Sequence, residues 1–152
     1  MRIVLDTNVL ARTTPGLSSA AREVLRLAVI SPHVLLLSEN MLAELDRVLR
    51  YDRLRKLHGL SDDEIDRHVA DIRAVCVLVP LPAGPLPSVV TFDPDDDMVI
   101  ATAMLGKADV ICTRDHHLLH ADVVAYCRAH AIEILRDVDL LAILRADEPG
   151  NP

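Results

Sequence analysis

The sequence predicts an α/β protein, a three-layer α/β/α sandwich around a mainly parallel sheet of about five strands. Two observations predict this fold. Short apolar runs alternate with segments of helical periodicity, and strands that are separated by helices pair in parallel. The chain has 152 residues, 51% of them hydrophobic, which suits one compact domain. We expect that domain to cover residues 1–145 and a frayed tail to follow over residues 146–152.

The strands are predicted from short apolar runs that end at polar or turn-forming residues. These runs are residues 2–5, 33–37, 76–79, 110–112 and 132–135. After the third run, residues 80–87 contain several prolines and Gly84 and so cannot continue a strand. We expect a surface loop there rather than a boundary between domains.

Six helices are predicted from apolar residues spaced three and four apart and from residue types that favour helix starts. Ser61 and Glu64 form a capping box ahead of the third helix, and Gly106 ends the fourth. The other N-cap candidates are Ser18 or Ser19, Ser38, and Asp95 or Asp96. The first four helices are expected to end near residues 29, 49, 75 and 105, and the last two to cover about residues 121–130 and 138–144.

Composition and charge exclude several classes of protein. The 16 Lys and Arg against 23 Asp and Glu give a formal net charge of −7, so nucleic-acid binding would need a local basic patch or bound cations. Aromatic residues make up 2% of the chain, too few for the stacking platform of a single-strand-binding module. No apolar run approaches the roughly 20 residues of a membrane span. The three cysteines lack CxxC spacing and no signal-peptide pattern opens the sequence, from which we expect a cytoplasmic protein.

Acidic residues recur where a parallel sheet would bring its strand ends together. Asp6 directly follows the first strand, and Asp115 closely follows the fourth. Glu44 lies on the helix after the second strand, and Asp97 starts the helix before the fourth. Ligands of such sheets bind beyond the carboxyl ends of the strands, so the four side chains are predicted to share one crevice. Taken singly, an acid after a strand is as well explained as a turn residue or a helix cap, and Glu44 could lie on the solvated edge of an amphipathic helix.

Four carboxylates in one crevice need a counter-ion. Oxygen-only ligand sets suit hard cations such as Mg²⁺ or Mn²⁺, which can bind a phosphodiester and lower the pKa of an attacking water. Without the cation, repulsion among the carboxylates should raise the pKa of at least one of them in the folded protein. The pattern therefore indicates a site for Mg²⁺ or Mn²⁺.

Other site chemistries have weaker support in the sequence. The glycine-rich nucleotide-binding patterns GxGxxG and GxxxxGK[ST] are absent. His116, His117 and His120 are close enough in sequence to bind zinc, but no cysteine pair or HExxH accompanies them, and solvated histidines are the simpler interpretation. The DTN sequence at residues 6–8 lacks the second acid of phosphatases that form an aspartyl-phosphate.

Four segments resemble, in order, the motifs of the PIN domain, the metal-dependent nuclease fold of bacterial toxin–antitoxin ribonucleases. They are residues 3–10 (IVLDTNVL), 38–49 with MLAEL at residues 41–45, 97–103 (DMVIATA) and 108–115 (ADVICTRD). Each motif is short, but all four in this order form a fairly specific signal. The resemblance covers residues 1 to about 144 and implies a PIN-like nuclease domain with the α/β/α fold predicted above.

The resemblance implies a set of catalytic, metal-binding acids, and the matching residues are Asp6, Glu44, Asp97 and Asp115. Two further residues, Asn8 and Thr113, would support them. Asp93 or Asp96 could share or replace the role given to Asp97. The implied cofactor is Mg²⁺ or Mn²⁺.

The function implied by the resemblance is hydrolysis of RNA by a Mg²⁺- or Mn²⁺-dependent endoribonuclease, the toxin of a bacterial toxin–antitoxin pair. Its partners would be an RNA substrate, an antitoxin protein and a second copy of the chain in a homodimer. The alternative is a non-catalytic PIN-like module that binds RNA or a protein.

Basic residues cluster beyond Glu44, and they are Arg47, Arg50, Arg53, Arg55 and Lys56. They could form a phosphate track or the cation-rich end of a helix. Arg114 could likewise contact a substrate phosphate or form an ion pair.

Overall fold

A computed structural model describes residues 1–17, 19–30, 32–86, 88–90 and 96–147 of the chain. Two of the N-cap candidates, Ser18 and Asp95, lie outside these ranges, as does Asp93. Most of the expected tail, from residue 148 onward, also lies outside them.

The centre of the fold is a five-stranded sheet in which every pairing is parallel. Its strands have the spatial order β3-β2-β1-β4-β5, and they are β1 (Arg2–Leu5), β2 (Val34–Leu37), β3 (Val77–Leu78), β4 (Val110–Cys112) and β5 (Glu133–Leu135). The predicted α/β fold is therefore confirmed. The edge strand β3 covers half of its predicted run, because it pairs only with the last two residues of β2.

Eight helices occur in the described ranges, and they are α1 (Thr7–Leu10), α2 (Ala20–Ala28), α3 (Glu39–Leu49), α4 (Asp52–His58), α5 (Asp62–Val75), α6 (Asp97–Gly106), α7 (Ala121–Ala129) and α8 (Asp137–Ala146). Six correspond to predicted helices. The sequence pattern misses α1, which has four residues, and α4, which buries no residue and so has no apolar stripe. The last helix extends through Ala146, the first residue of the segment expected to be a tail. None of the eight is long and apolar enough to cross a bilayer.

The helix starts follow the predicted capping chemistry where serine is involved. The side chains of Ser19, Ser38 and Ser61 each accept a hydrogen bond from the backbone N–H three residues further on. Ser61 completes the capping box, since its own N–H donates to the carboxylate of Glu64. Asp96 occupies the N-cap position of α6 but makes no capping hydrogen bond.

The order of the strands places a reversal of winding between β1 and β4. From β1 the chain passes through α1 and α2 to β2, and through α3, α4 and α5 to β3 at one edge of the sheet. It then returns through α6 to β4 and continues through α7 to β5 at the other edge. Right-handed crossovers put these two groups of helices on opposite faces, which gives three layers. Such a reversal opens a crevice beyond the carboxyl ends of the two central strands.

Gly106, the last residue of α6, marks a close contact between this helix and the sheet. A Cβ atom at Gly106 would lie 2.9 Å from Cδ1 of Leu36 and 2.9 Å from Cγ2 of Val79, both in buried residues. Favourable carbon–carbon contacts begin at about 3.5 Å, so a side chain has no room here. The helix ends one residue later than the glycine suggests, because Lys107 takes the left-handed conformation with φ of 52°.

Gly106→Ala is expected to lower the free energy of unfolding by about 1–2 kcal/mol, because the added methyl group overpacks the contact with Leu36 and Val79. Gly84→Ala is the matched control, since a Cβ atom there would meet nothing within 4 Å. Urea unfolding of both variants and the wild type measures the difference. Wild-type stability in Gly106→Ala would show that α6 can shift away from the sheet without penalty.

Candidate metal centre

Backbone hydrogen bonds fix Asp6 at the reversal between β1 and β4. Its N–H donates to the carbonyl oxygen of Cys112 (2.9 Å), which extends the β1–β4 pairing by one residue. Its carbonyl oxygen accepts from the N–H groups of Val9 and Leu10 (2.9 Å each), so the chain turns into α1 at once. The residue is buried, with 4% of its surface exposed. The end of β1 therefore holds a carboxylate inside the crevice.

Thr113 connects Asp6 to the turn that carries Asp115. Its hydroxyl donates to Oδ2 of Asp6 (2.6 Å) and accepts from the N–H of Asp115 (2.9 Å). The backbone N–H of Thr113 donates to the carbonyl oxygen of Leu135 (3.0 Å), which fixes the residue beside β5. Thr113, which the resemblance gives a supporting role, thus contacts one acid directly and positions the backbone of a second.

Asn8, the other residue with an expected supporting role, acts on the backbone. Its Oδ1 accepts a hydrogen bond from the N–H of Arg114 (3.2 Å), which ties α1 to the turn after β4. The guanidinium of Arg114 lies 3.4 Å from Oδ2 of the buried Asp137. Arg114 therefore forms an ion pair, one of the two roles predicted for it.

Glu44 reaches the site from α3, where a residue that the sequence analysis missed holds it. The hydroxyl of Thr7 donates to Oε2 of Glu44 (2.8 Å). Arg47, nearly one helical turn further on, lies 3.9 Å from Oε1 of Glu44 and is mostly exposed. Thr7 stands between the motif residues Asp6 and Asn8, and that position is the sequence signal that could have identified it.

Asp115 stands in a turn that brings two histidines beside it. Its Oδ1 accepts a hydrogen bond from the N–H of His117 (2.8 Å) and lies 3.6 Å from Nδ1 of the same residue. Potential ligand atoms of Asp115, His116 and His117 all lie within 4.8 Å of one another, close enough to hold one metal ion. The interpretation of these histidines as solvated suits His116, whose side chain is 85% exposed, but not His117 at 27%.

Asp96 and Asp97 have different surroundings at the start of α6. Oδ1 of Asp97 accepts from the N–H groups of Val89 (2.8 Å) and Val90 (2.7 Å), so this buried carboxylate anchors the segment before the helix. Oδ2 of Asp96 instead lies 3.9 Å from Nδ1 of His117. Asp96 thus lies near His117, the histidine beside Asp115, while Asp97 holds the backbone of Val89 and Val90.

Three of the four predicted acids interact electrostatically. The pKa of Asp6 is raised to about 6, mainly because its carboxylate is buried and to a smaller extent because Asp115 and Glu44 carry like charges. Hydrogen bonds from Thr113 and from the backbone N–H of Thr7 lower the same pKa. The raised pKa agrees with the expectation from the sequence, but burial rather than repulsion is its main cause.

The surroundings of these carboxylates fit a divalent cation. Within the described residues, the hydrogen bonds to Asp6, Glu44 and Asp115 come from hydroxyl and backbone N–H groups, and the guanidinium of Arg47 lies 3.9 Å from Oε1 of Glu44. A buried carboxylate with a raised pKa is stabilised by a nearby positive charge. Oxygen donors suit Mg²⁺ or Mn²⁺, and the neighbouring imidazoles add nitrogen donors.

Part of the predicted basic cluster is neutralised inside the fold. Arg50 forms ion pairs with carboxylates of α3 and α5, among them Asp46 (2.7 Å) and Asp62 (2.9 Å), and Arg55 also pairs with Asp62. These two arginines join α3, α4 and α5 and bring little surplus charge to a ligand. Arg53 forms no ion pair with any described residue. The cluster is therefore a structural network with a few unneutralised members.

One protein-family model matches a stretch of the chain that contains all four acidic motifs. Residues 2–117, about three quarters of the chain, match the family model described as the PIN domain. The matched stretch contains all four acidic motifs and ends just beyond Asp115. No curated protein and no solved structure matches the chain significantly.

The stability of the metal-free protein is expected to fall as the pH rises from about 4 to above 6. The folded state holds the Asp6 proton more tightly than the unfolded chain, for which the pKa is 3.8. The penalty is absent below that value and reaches about 3 kcal/mol at neutral pH, once Asp6 ionises in the folded state. Asp6→Asn removes the titrating group, so its stability relative to wild type should increase over the same range.

Urea unfolding in EDTA at several pH values measures this difference. Asp63→Asn, on the exposed start of α5, is the control and should follow the wild type at every pH. An Asp6→Asn variant whose stability relative to wild type does not change with pH would contradict the raised pKa.

Proposed function

The chain belongs to the PIN-domain family, and from this membership we propose that it is a metal-dependent nuclease that hydrolyses RNA phosphodiester bonds. One observation supports the proposal above the others. Burial raises the pKa of the Asp6 carboxylate, and Glu44 and Asp115 lie close enough for their negative charges to raise it further. Because that pKa is about 6, Asp6 is ionised at neutral pH. A divalent cation bound between these carboxylates would relieve their mutual repulsion, so the group favours cation binding.

The proposed mechanism assigns each of these side chains a task. Asp6, Glu44 and Asp115 would hold the cation through their carboxylate oxygens. The chemistry that Mg²⁺ or Mn²⁺ supplies when bound is polarisation of the phosphodiester and acidification of the attacking water. Thr113 orients Asp6 and Thr7 orients Glu44, each by donating a hydroxyl hydrogen bond. The acids are thus in place before the substrate arrives.

Asp96 and His117 complete the ligand set in this proposal. The imidazole of His117 stands between two acids, 3.6 Å from Asp115 and 3.9 Å from Asp96. A nitrogen donor suits Mn²⁺ better than Mg²⁺, which prefers oxygen ligands. Asp96 therefore shares the metal-binding role that the resemblance gives to Asp97, and Asp97 also anchors the backbone before α6.

The partners implied by the family resemblance stay proposals for this chain. They are an RNA substrate, an antitoxin protein and a second copy of the chain, and a role as a toxin in the cytoplasm belongs with them. Exposed apolar side chains, among them Val75, Leu105 and Val138, offer surface that a protein partner would cover.

Purified protein is expected to cleave single-stranded RNA with Mn²⁺ and to stop in EDTA. Asp6→Asn and Asp115→Asn should each lower kcat/KM by about 100-fold or more, because each weakens the binding of the cation that stabilises the transition state. Thr113→Val should lower it by about tenfold or more, because Asp6 loses the hydroxyl that orients it. The measurement is the initial rate of cleavage of a labelled RNA.

Asp63→Asn is the control for these rates and should cleave RNA as the wild type does. Thermal melting in EDTA checks that each inactive variant is folded. If the folded wild type binds RNA but leaves it intact with either Mn²⁺ or Mg²⁺, the chain is the non-catalytic alternative.

Variants at the start of α6 should separate metal affinity from stability. Asp96→Asn and His117→Gln are expected to weaken Mn²⁺ binding by about tenfold with little change in the metal-free Tm. Asp97→Ala should lower the metal-free stability by about 1–3 kcal/mol, because the N–H groups of Val89 and Val90 lose their acceptor. Asp97→Asn keeps an acceptor oxygen and should keep most of that stability.

Isothermal titration calorimetry with Mn²⁺ and with Mg²⁺ measures the affinities, and thermal melting measures the stabilities. His117→Gln should reduce the preference for Mn²⁺ over Mg²⁺. Wild-type Mn²⁺ affinity in both Asp96→Asn and His117→Gln would remove these residues from the ligand set.

A further inference from the structure

A groove of about 450 Å³ opens beside Asp115. One wall is formed by α1 and the residues that follow it, another by α4 and the residue before it, and a third by the turn after β4. We call it the basic groove, after the three arginines that line it, which are Arg12, Arg53 and Arg114. It adjoins the candidate metal centre, since Asp115 and Asn8 belong to both.

The basic groove carries more positive than negative side chains, unlike the chain as a whole. Among the described residues that line it, Asp115 is the one acid. Arg12 and Arg53 are exposed and form no ion pair with any described carboxylate, in contrast to Arg50 and Arg55. In a chain with a net charge of −7, this groove supplies a local positive surface of the kind that binding of a polyanion needs.

The basic groove also exposes apolar surface. Tyr51 is the N-cap residue of α4. It is one of the three aromatic residues of the chain, lines the groove and is 46% exposed. Leu57 lines it as well and is 63% exposed. The guanidinium of Arg47 lies 5.9 Å from the centroid of the Tyr51 ring, which supports the ring from one side. Flat apolar surface beside cations suits a ligand that presents both bases and phosphates.

We propose that the basic groove binds single-stranded RNA next to the phosphodiester that is cleaved, with Arg12 and Arg53 on phosphates and Tyr51 against a base. The choice of RNA rests on the proposed nuclease function. A single strand is favoured over a duplex because a duplex keeps its bases stacked away from an aromatic side chain. The groove touches Asp115, so a strand bound in it leads directly to the acids.

The test compares two double variants that remove the same charge. Arg12→Ala with Arg53→Ala alters the basic groove, and Arg67→Ala with Arg128→Ala alters exposed positions on α5 and α7. Fluorescence anisotropy with a short labelled single-stranded RNA in EDTA measures binding without cleavage. The groove variant should bind about tenfold more weakly and lose a salt-dependence slope of about 1.4, two phosphate contacts at about 0.7 each, whereas the control should bind as the wild type does.

Variants of Tyr51 distinguish the contribution of base stacking to RNA binding from that of charge. Tyr51→Ala should weaken binding of single-stranded RNA by roughly tenfold without changing the salt slope, and Tyr51→Phe should restore it, since stacking is worth about 1–3 kcal/mol per base. Binding of duplex RNA should not depend on Tyr51. With Mn²⁺, the groove variants should raise KM and leave kcat nearly unchanged, because the residues lie outside the set of acids.

Failure of this inference differs from failure of the proposed function. A wild type that binds single-stranded RNA through the basic groove but never cleaves it shows that the groove is an RNA-binding site and refutes the nuclease. If both double variants bind RNA equally well, or if Tyr51→Ala has no effect on folded protein, the groove is not an RNA site. Groove variants that leave RNA binding unchanged but alter the oligomeric state in light scattering would identify a protein interface instead.

Discussion

The parallel pairing of β1 with β4 is the constraint on which the rest of the site depends. Leu5 pairs with Cys112. The residues that follow this pair, Asp6 and Thr113, also contact each other, because the hydroxyl of Thr113 donates a hydrogen bond to the carboxylate of Asp6. The chain winds away from these two strands in opposite directions, and such a reversal leaves a crevice at their carboxyl ends. Shifting the register by one residue would turn Asp6 to the opposite face and break up the group of acids. The geometry of the site therefore follows from the sheet and not from a separate loop architecture.

The sequence could predict what is encoded locally. Short apolar runs located the five strands, and the position of acids after those runs predicted that Asp6 and Asp115 lie close together. What it could not predict depends on partners distant in the chain. The contact of Thr7 with Glu44 and the position of His117 between two acids arise only once α3, α6 and the turn after β4 are assembled. The burial that dominates the pKa of Asp6 is likewise a property of the whole fold.

Basic residues that look equivalent in the sequence take different roles through their partners. Arg50 and Arg53 are three positions apart, yet one is surrounded by carboxylates of α3 and α5 and the other has no acidic partner among the described residues. The same division applies to the acids, since Asp62 neutralises arginines while Asp6 is left with like charges. The fold thus contains two groups of charged side chains. One group forms ion pairs between helices, and the other consists of the acids in the crevice and those arginines of the basic groove for which the structure describes no ion pair. The first group joins helices, and the second carries the proposed function.

The hydrogen bond between Thr113 and Asp6 joins residues that are 107 positions apart. During synthesis the first acid leaves the ribosome long before β4 exists, and parallel strands cannot pair until the crossover between them is complete. A nascent chain therefore carries its carboxylates without the geometry that gathers them. Because the proposed activity needs these acids together, this topology delays it until β4 has been synthesised and can pair with β1.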